Sequence, residues 1–276
     1  MLECVVNLSE GRDQLRLDAL VAAAGAVLLD VHSDRDLNRS VLTLAAEPDA
    51  LHEGVAAVAR LAVSTLDLSD HKGAHPRLGV VDVVPFVDLT DPTAPATPRS
   101  LAARDRFADW AATALGLPCF LYGPERSLPD VRRQAWVTLL PDRGPRSPHP
   151  TAGAACVGAR GALVAYNLVL ASHDVAGARR IAAAVRRPGL RALGFRVGQR
   201  ATVSCNLTEP YRLGPAQAYD AVATVAADLG GTAIAGAELV GLLPAAVLAA
   251  APRERWAQLG ISADRTVEAA LAARSA

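Results

Sequence analysis

Two stretches of the chain spell the same order of elements, and that order narrows the fold more than any other feature. The first contains ECVVNL, a helical pattern over 13–24, AVLLDVH, SVLTLAA, a helical pattern over 48–65, and GVVDVVPFVDL. The strands are short apolar runs, and the helices repeat apolar residues at three- and four-residue spacing. The second contains GALVAYNLVL, a helix over 174–187, RALGFRV, ATVSCNL, a helix over 215–229, and TAIAGAELVGL. Both read β-α-β-β-α-β, the split βαβ order of ferredoxin-like sheets. The expected fold class is therefore α+β, with two ferredoxin-like subdomains, residues 1–159 and 160–276. Their sheets should face each other with helices outside and a shared groove between them. The halves share no obvious sequence identity, so the repetition is architectural. Between them lie a helix over 100–115, the strand PCFLYG, and PDRGPRSPHPTAG. That last segment has four prolines and two glycines in thirteen residues and reads as a long loop.

The chain has 276 residues, 51% of them hydrophobic, which is ample for such cores, and a formal net charge of zero. Neutrality gives no general reason to expect nucleic acid or an anionic membrane as partner. No apolar run reaches the roughly 20 residues of a membrane span. The start, MLECVVNLSEGRD, lacks the layout of a signal peptide. The expectation is a cytoplasmic protein with small-molecule partners. Cys4, Cys119, Cys156 and Cys205 are too scattered for a zinc site or a disulfide framework.

The chemistry concentrates in SDHKGAHPRLG. Lys72 is the only lysine, against 27 arginines (28 basic residues less one). In a chain that uses arginine wherever any cation will do, this points to a need for a compact ammonium. His71 and His75 are four residues apart, but Gly73 and Pro76 oppose a helix and no third ligand stands nearby, so no metal is expected. The alternatives are acid–base work by a histidine beside anion-binding Lys72 and Arg77, or a structural loop histidine. Asn38-Arg39-Ser40 enters a strand, where Arg39 could fork onto a carboxylate or simply belong to a turn. NLSEGR offers Asn7, Ser9, Glu10 and Gly11, with a helix N-cap at Ser9 as the ordinary alternative. Asn7, Asn38 and Asn206 each begin an N-x-S/T triplet; without secretion their side chains need another explanation. GAACVGARG lacks the ending of a phosphate loop.

Taken together, VVNLSEGR, LLDVHSDRDLNRSVLTL, DHKGAHPRLGVVDVVPF, PCFLYG, PDRGP, GARGALVAYNLVL, VSCNLTEP and ELVGLLP resemble, in this order, the formiminotransferase family. The resemblance runs over nearly the whole chain. It implies transfer of the formimidoyl group of N-formimino-L-glutamate to N5 of tetrahydrofolate, the co-substrate, in histidine degradation and one-carbon metabolism. It also implies a homodimer. The family's catalytic histidine falls on His75. Its folate-binding stretch falls on Gly144, Pro145, Arg146, Ser147, Pro148, His149, Pro150, Thr151, Ala152 and Gly153. Lys72, Arg77, Arg39 and Asn38 become the candidates for holding the anionic substrate. Animal members carry an aspartate where His32 stands, so an acidic partner of the histidine is either missing or supplied by Asp30, Asp34 or Asp36. Arg146 and His149 replace uncharged residues of the animal folate stretch, and the segment between YG and PD is shorter. The animal cyclodeaminase has no counterpart before the chain ends at Ala276, so the expectation is that ammonia release falls to another protein or that the physiological donor differs. Rival readings are formyl exchange between 5-formyltetrahydrofolate and glutamate, and a non-catalytic folate-binding protein.

Overall fold

The computed structural model describes residues 1–73 and 77–275. It is an α+β protein whose chain divides into two compact units, Met1–Gly161 and Ala162–Ala276. His75 lies outside the described residues.

The first unit begins β1 (Leu2–Leu8), α1 (Gln14–Ala24), β2 (Leu28–Asp34), β3 (Arg39–Ala46), α2 (Pro48–Thr65) and β4 (Val81–Asp88). It continues with α3 (Pro98–Ala114), β5 (Cys119–Tyr122), α4 (Leu128–Gln134) and β6 (Ala155–Ala159). Its six-stranded sheet has the order β2-β3-β1-β4-β6-β5. β2, β3, β1 and β4 pair antiparallel, whereas β6 lies parallel between β4 and β5. Strand alternation sends Leu2, Cys4, Val6 and Leu8 of β1 to one face, where Leu20 of α1, Val55 and Val58 of α2, and Phe107 of α3 close the main core. Val83, Phe120, Tyr122 and Cys156 point to the opposite face, where they pack with Val131 of α4 and with Ala135 just beyond its end.

Two elements here escape the sequence reading. The first is α4, only seven residues long, which starts at a Ser127–Asp130 capping box with Pro129 in its first turn. The second is β6, whose five residues are all buried. A strand flanked on both sides carries an unbroken apolar run rather than an alternating one, and ACVGA is such a run. Gly158 of β6 is fixed by packing, because a Cβ there would lie 2.1 Å from the Tyr122 ring. Gly158→Ala is accordingly expected to destabilise the protein by about 1–3 kcal/mol, the usual cost of overpacking. A chemical-denaturation midpoint equal to wild type would contradict this.

The second unit holds β7 (Val164–Leu170), α5 (Val175–Val185), β8 (Leu190–Val197), β9 (Arg200–Leu207), α6 (Pro215–Gly230) and β10 (Ile234–Val240). The sheet order is β10-β7-β9-β8, antiparallel throughout. This matches the order β4-β1-β3-β2 in the first unit. Val164, Tyr166, Leu168 and Leu170 face the core beneath α5 and α6. The hydroxyl of buried Tyr166 donates to the Leu259 carbonyl at 2.7 Å, tying the C-terminal helices to β7.

All four cysteines are free and buried, as small apolar side chains are. Burial pushes the Cys119 and Cys205 thiols up to about 12, so neither is a ready nucleophile.

Candidate functional site

Four segments meet at one end of the six-stranded sheet. They are the turn after β1, the turn between β2 and β3, residues 71–73 and 77–79 leading into β4, and the loop leading into β6. Register brings them together: Leu8 stands opposite both Ser40 and Val81, and Val83 opposite Cys156.

The β1–α1 turn is organised by Glu10. Its Oε1 accepts the N–H groups of Gly11, Arg12 and Asp13 at 2.8–3.0 Å. The helix itself is capped by Asp13, which accepts from the Leu15 and Arg16 amides. This corrects the N-cap reading of Ser9, whose hydroxyl instead donates to the Gly79 carbonyl at 2.8 Å. Ser9 thereby fastens the turn to the approach of β4. A Cβ on Gly11 would meet the Asp34 carbonyl at 2.4 Å and the Arg39 nitrogen at 2.5 Å, so only glycine lets these turns touch.

Asn38 joins three of the segments. It adopts the left-handed conformation (φ 48°), which asparagine tolerates better than most side chains. Its Oδ1 accepts the Gly11 amide at 2.9 Å, and its Nδ2 donates to the Lys72 carbonyl at 3.3 Å. Its own carbonyl accepts from His71 Nε2 at 2.9 Å and from Arg77 Nη1 at 3.4 Å. Arg77 Nη1 lies 2.5 Å from His71 Nε2 and 2.6 Å from Nδ1, against the ring edge between them, and a neutral ring keeps one nitrogen as an acceptor there. Burial, aided by the Arg77 charge, lowers the His71 pKa and favours this neutral form.

Arg39 donates from Nη2 to Asn7 Oδ1, while its Nε is buried without a hydrogen-bond partner. Asp82, only 3% exposed, accepts the Leu78 amide at 2.7 Å and Arg132 Nη2 at 2.6 Å. Arg39, Arg77 and Arg132 all lie within electrostatic reach of this carboxylate. The cluster is cation-rich, which suits an anionic ligand.

Of the residues predicted from sequence, Asn38, Arg39 and Arg77 are brought together. Lys72 joins them through its main chain, and its side chain is exposed. Most of residues 144–153 are exposed, but the end of the loop is bonded to the main chain of Leu68, Leu78 and Val80. The Thr151 carbonyl accepts the Leu68 amide at 2.8 Å, the Ala152 carbonyl accepts Val80 at 3.0 Å, and the Ala154 amide donates to Leu78 at 2.9 Å. Gly153 takes φ +70° beneath the Leu78 carbonyl. The His149 Nδ1 accepts the Ala152 amide at 3.0 Å, so this side chain helps hold its own turn. Asp34 spends its Oδ1 on the Asp36 and Leu37 amides.

Sequence reasoning missed Asp82 and Arg132. Asp82 was visible as a carboxylate within an apolar strand, a pattern that demands a partner. The partner, however, sits on the helix that went unread. Two of the three N-x-S/T asparagines find their explanation here, in the Arg39 and Gly11 bonds. Among the described residues, no group of three His, Cys, Asp or Glu side chains could hold a metal ion.

Residues 1–160 match the family described as formiminotransferase domain, N-terminal subdomain. The chain is 34% identical over 274 residues to the glutamate formimidoyltransferase of Streptococcus pyogenes serotype M1, covering 90% of each chain. It is 32% identical over 276 residues to that of Thermoplasma acidophilum, covering 88% of each. The chain belongs to the formiminotransferase family. It is also 34% identical to the formimidoyltransferase-cyclodeaminase of Sus scrofa, of which it spans half the length.

Proposed function

We propose that this protein is a glutamate formimidoyltransferase, moving the formimino group of N-formimino-L-glutamate to N5 of tetrahydrofolate within histidine degradation and one-carbon metabolism. The observation that carries the reading is the main-chain bonding of residues 151–154 to Leu78 and Val80, beside Arg77 of a cation-rich cluster, in a chain that matches such an enzyme over nine-tenths of both lengths. N5 attacks the formimidoyl carbon and a tetrahedral intermediate forms. The attacking amine loses a proton and the departing glutamate nitrogen gains one; His75 does both in turn. Arg39 and Arg77 take the substrate carboxylates, with Asn38 ordering the turn between them. Residues 144–153 border the folate. On this reading the two units are the N- and C-terminal subdomains of the transferase, 1–159 and 160–276, both ferredoxin-like. The protein acts as a cytoplasmic homodimer without a metal.

The test is to incubate the protein with tetrahydrofolate and formiminoglutamate, or with formylglutamate, and follow the folate product spectroscopically. Product from formiminoglutamate is expected. Product from formylglutamate alone would replace the donor, and folate binding without product from either would reduce the protein to a binding module.

Lys72→Arg tests the lone lysine. Its backbone carbonyl anchors Asn38 whatever the side chain, so stability should not change, whereas kcat/KM should fall, because a planar fork replaces a compact ammonium. Wild-type kinetics would show that the ammonium has no special role.

A further inference from the structure

We propose that Asp82 and Arg132 act as a pair of positioning residues for formimino transfer: together they hold the Leu78 amide, and through it set the neighbouring Arg77 guanidinium against Asn38. The inference rests on the functional reading above. Asp82 stands at the second residue of β4, and its two carboxylate oxygens do different work. Oδ1 accepts the Leu78 amide at 2.7 Å, and Oδ2 accepts Arg132 at 2.6 Å. The Asp82 side chain is 4% exposed and that of Arg132 is 20% exposed, so the pair is shielded and its geometry restricted. A shielded, hydrogen-bonded pair holds its partners more firmly than an exposed one.

Leu78 is covalently next to Arg77, and its own carbonyl accepts the Ala154 amide at 2.9 Å. The Leu78 peptide is therefore pinned on one side by Asp82 and on the other by the loop entering β6. Arg77 then reaches the Leu37 carbonyl at 3.3 Å and the Asn38 carbonyl at 3.4 Å. Both contacts are long, so a small shift of Leu78 would break them. Arg132 projects from α4, on the sheet face opposite α1–α3, and is the link through which that helix reaches the cluster.

Three variants test the pair: Asp82→Asn, Arg132→Met and Arg132→Lys. A misplacement of about 1 Å remote from the reacting atoms can cost about 100-fold in rate. Asp82→Asn and Arg132→Met should each lower kcat/KM for formiminoglutamate by about 10- to 100-fold, and Arg132→Lys should recover most of the loss. The double variant Asp82→Asn/Arg132→Met should be no worse than the poorer single variant, as for two groups acting as one. Amide hydrogen exchange supplies a readout that needs no activity. In Asp82→Asn and Arg132→Met the Leu78 amide should exchange faster, while amides of β1 and β3 keep wild-type protection. Unchanged Leu78 exchange, additive kinetic losses, or protection lost uniformly across the sheet would each overturn the proposal. A wild-type protein without transferase activity would overturn the functional reading instead, and the exchange comparison would still judge whether the pair positions Leu78.

Discussion

Replacing His75 by alanine is expected to lower kcat for formimino transfer by about 10²–10⁴-fold, the loss that follows removal of a general acid–base. The KM values should stay close to wild type, because the groups assigned to binding are elsewhere. His75 lies outside the described residues, so the expectation rests on its place in HKGAHPR and on the flanking residues. Those flanks are held: Lys72 by Asn38, Arg77 by the Leu37 and Asn38 carbonyls. Steady-state kinetics with each substrate varied decide the matter. Near-normal turnover would remove the catalytic assignment. A raised KM with normal kcat would move His75 into the binding set.

Replacing Arg39 by methionine should separate function from stability. Its Nη2 bond to Asn7 and its unpartnered, buried Nε leave donor capacity for a carboxylate. Truncating one partner of a buried charge pair costs about 2–5 kcal/mol, so kcat/KM for formiminoglutamate should fall by about 30- to 5,000-fold. Stability should move the other way. Burial pulls the Arg39 pKa down to about 10, with Arg132 and Arg77 pushing in the same direction and Asp82 and Asp34 opposing them. A lowered pKa means that the folded state disfavours the charged guanidinium. The resulting penalty is present at all pH below about 10 and is relieved as pH rises from there towards the higher unfolded value. Methionine carries no such penalty, so the variant should melt several degrees above wild type near neutral pH. A thermal scan with a lower Tm, or kinetics equal to wild type, would show that Arg39 is a structural cation.

The elements that could be read from sequence are those long enough to carry a pattern. β1 to β4 run seven or eight residues, and α1 to α3 run eleven to eighteen, so their apolar runs and helical repeats stand out. β6 could not be read the same way. Flanked by β4 and β5, it has no polar face, and its glycine answers to the Tyr122 ring rather than to a turn. α4 was hidden by its length, although its capping box stood in the open as SLPD. At the site, Asn38, Arg39 and Arg77 were legible because side chains that bind anions stand out in loops. Asp82 and Arg132 were not, since their pairing joins residues fifty positions apart through a helix with little periodicity of its own.

The loop that enters β6 is fastened to its neighbours almost wholly by peptide groups: Thr151 and Ala152 carbonyls accept, and the Ala154 amide donates. Such an attachment is indifferent to side-chain identity, except where glycine is required. The exposed residues Pro145, Arg146, Ser147 and Pro148 can therefore be exchanged without relocating the loop. The protein has a fixed scaffold carrying a rewritable surface. Sequence could drift there over evolutionary time, or be recast in the laboratory, while the strands beneath stay where they are.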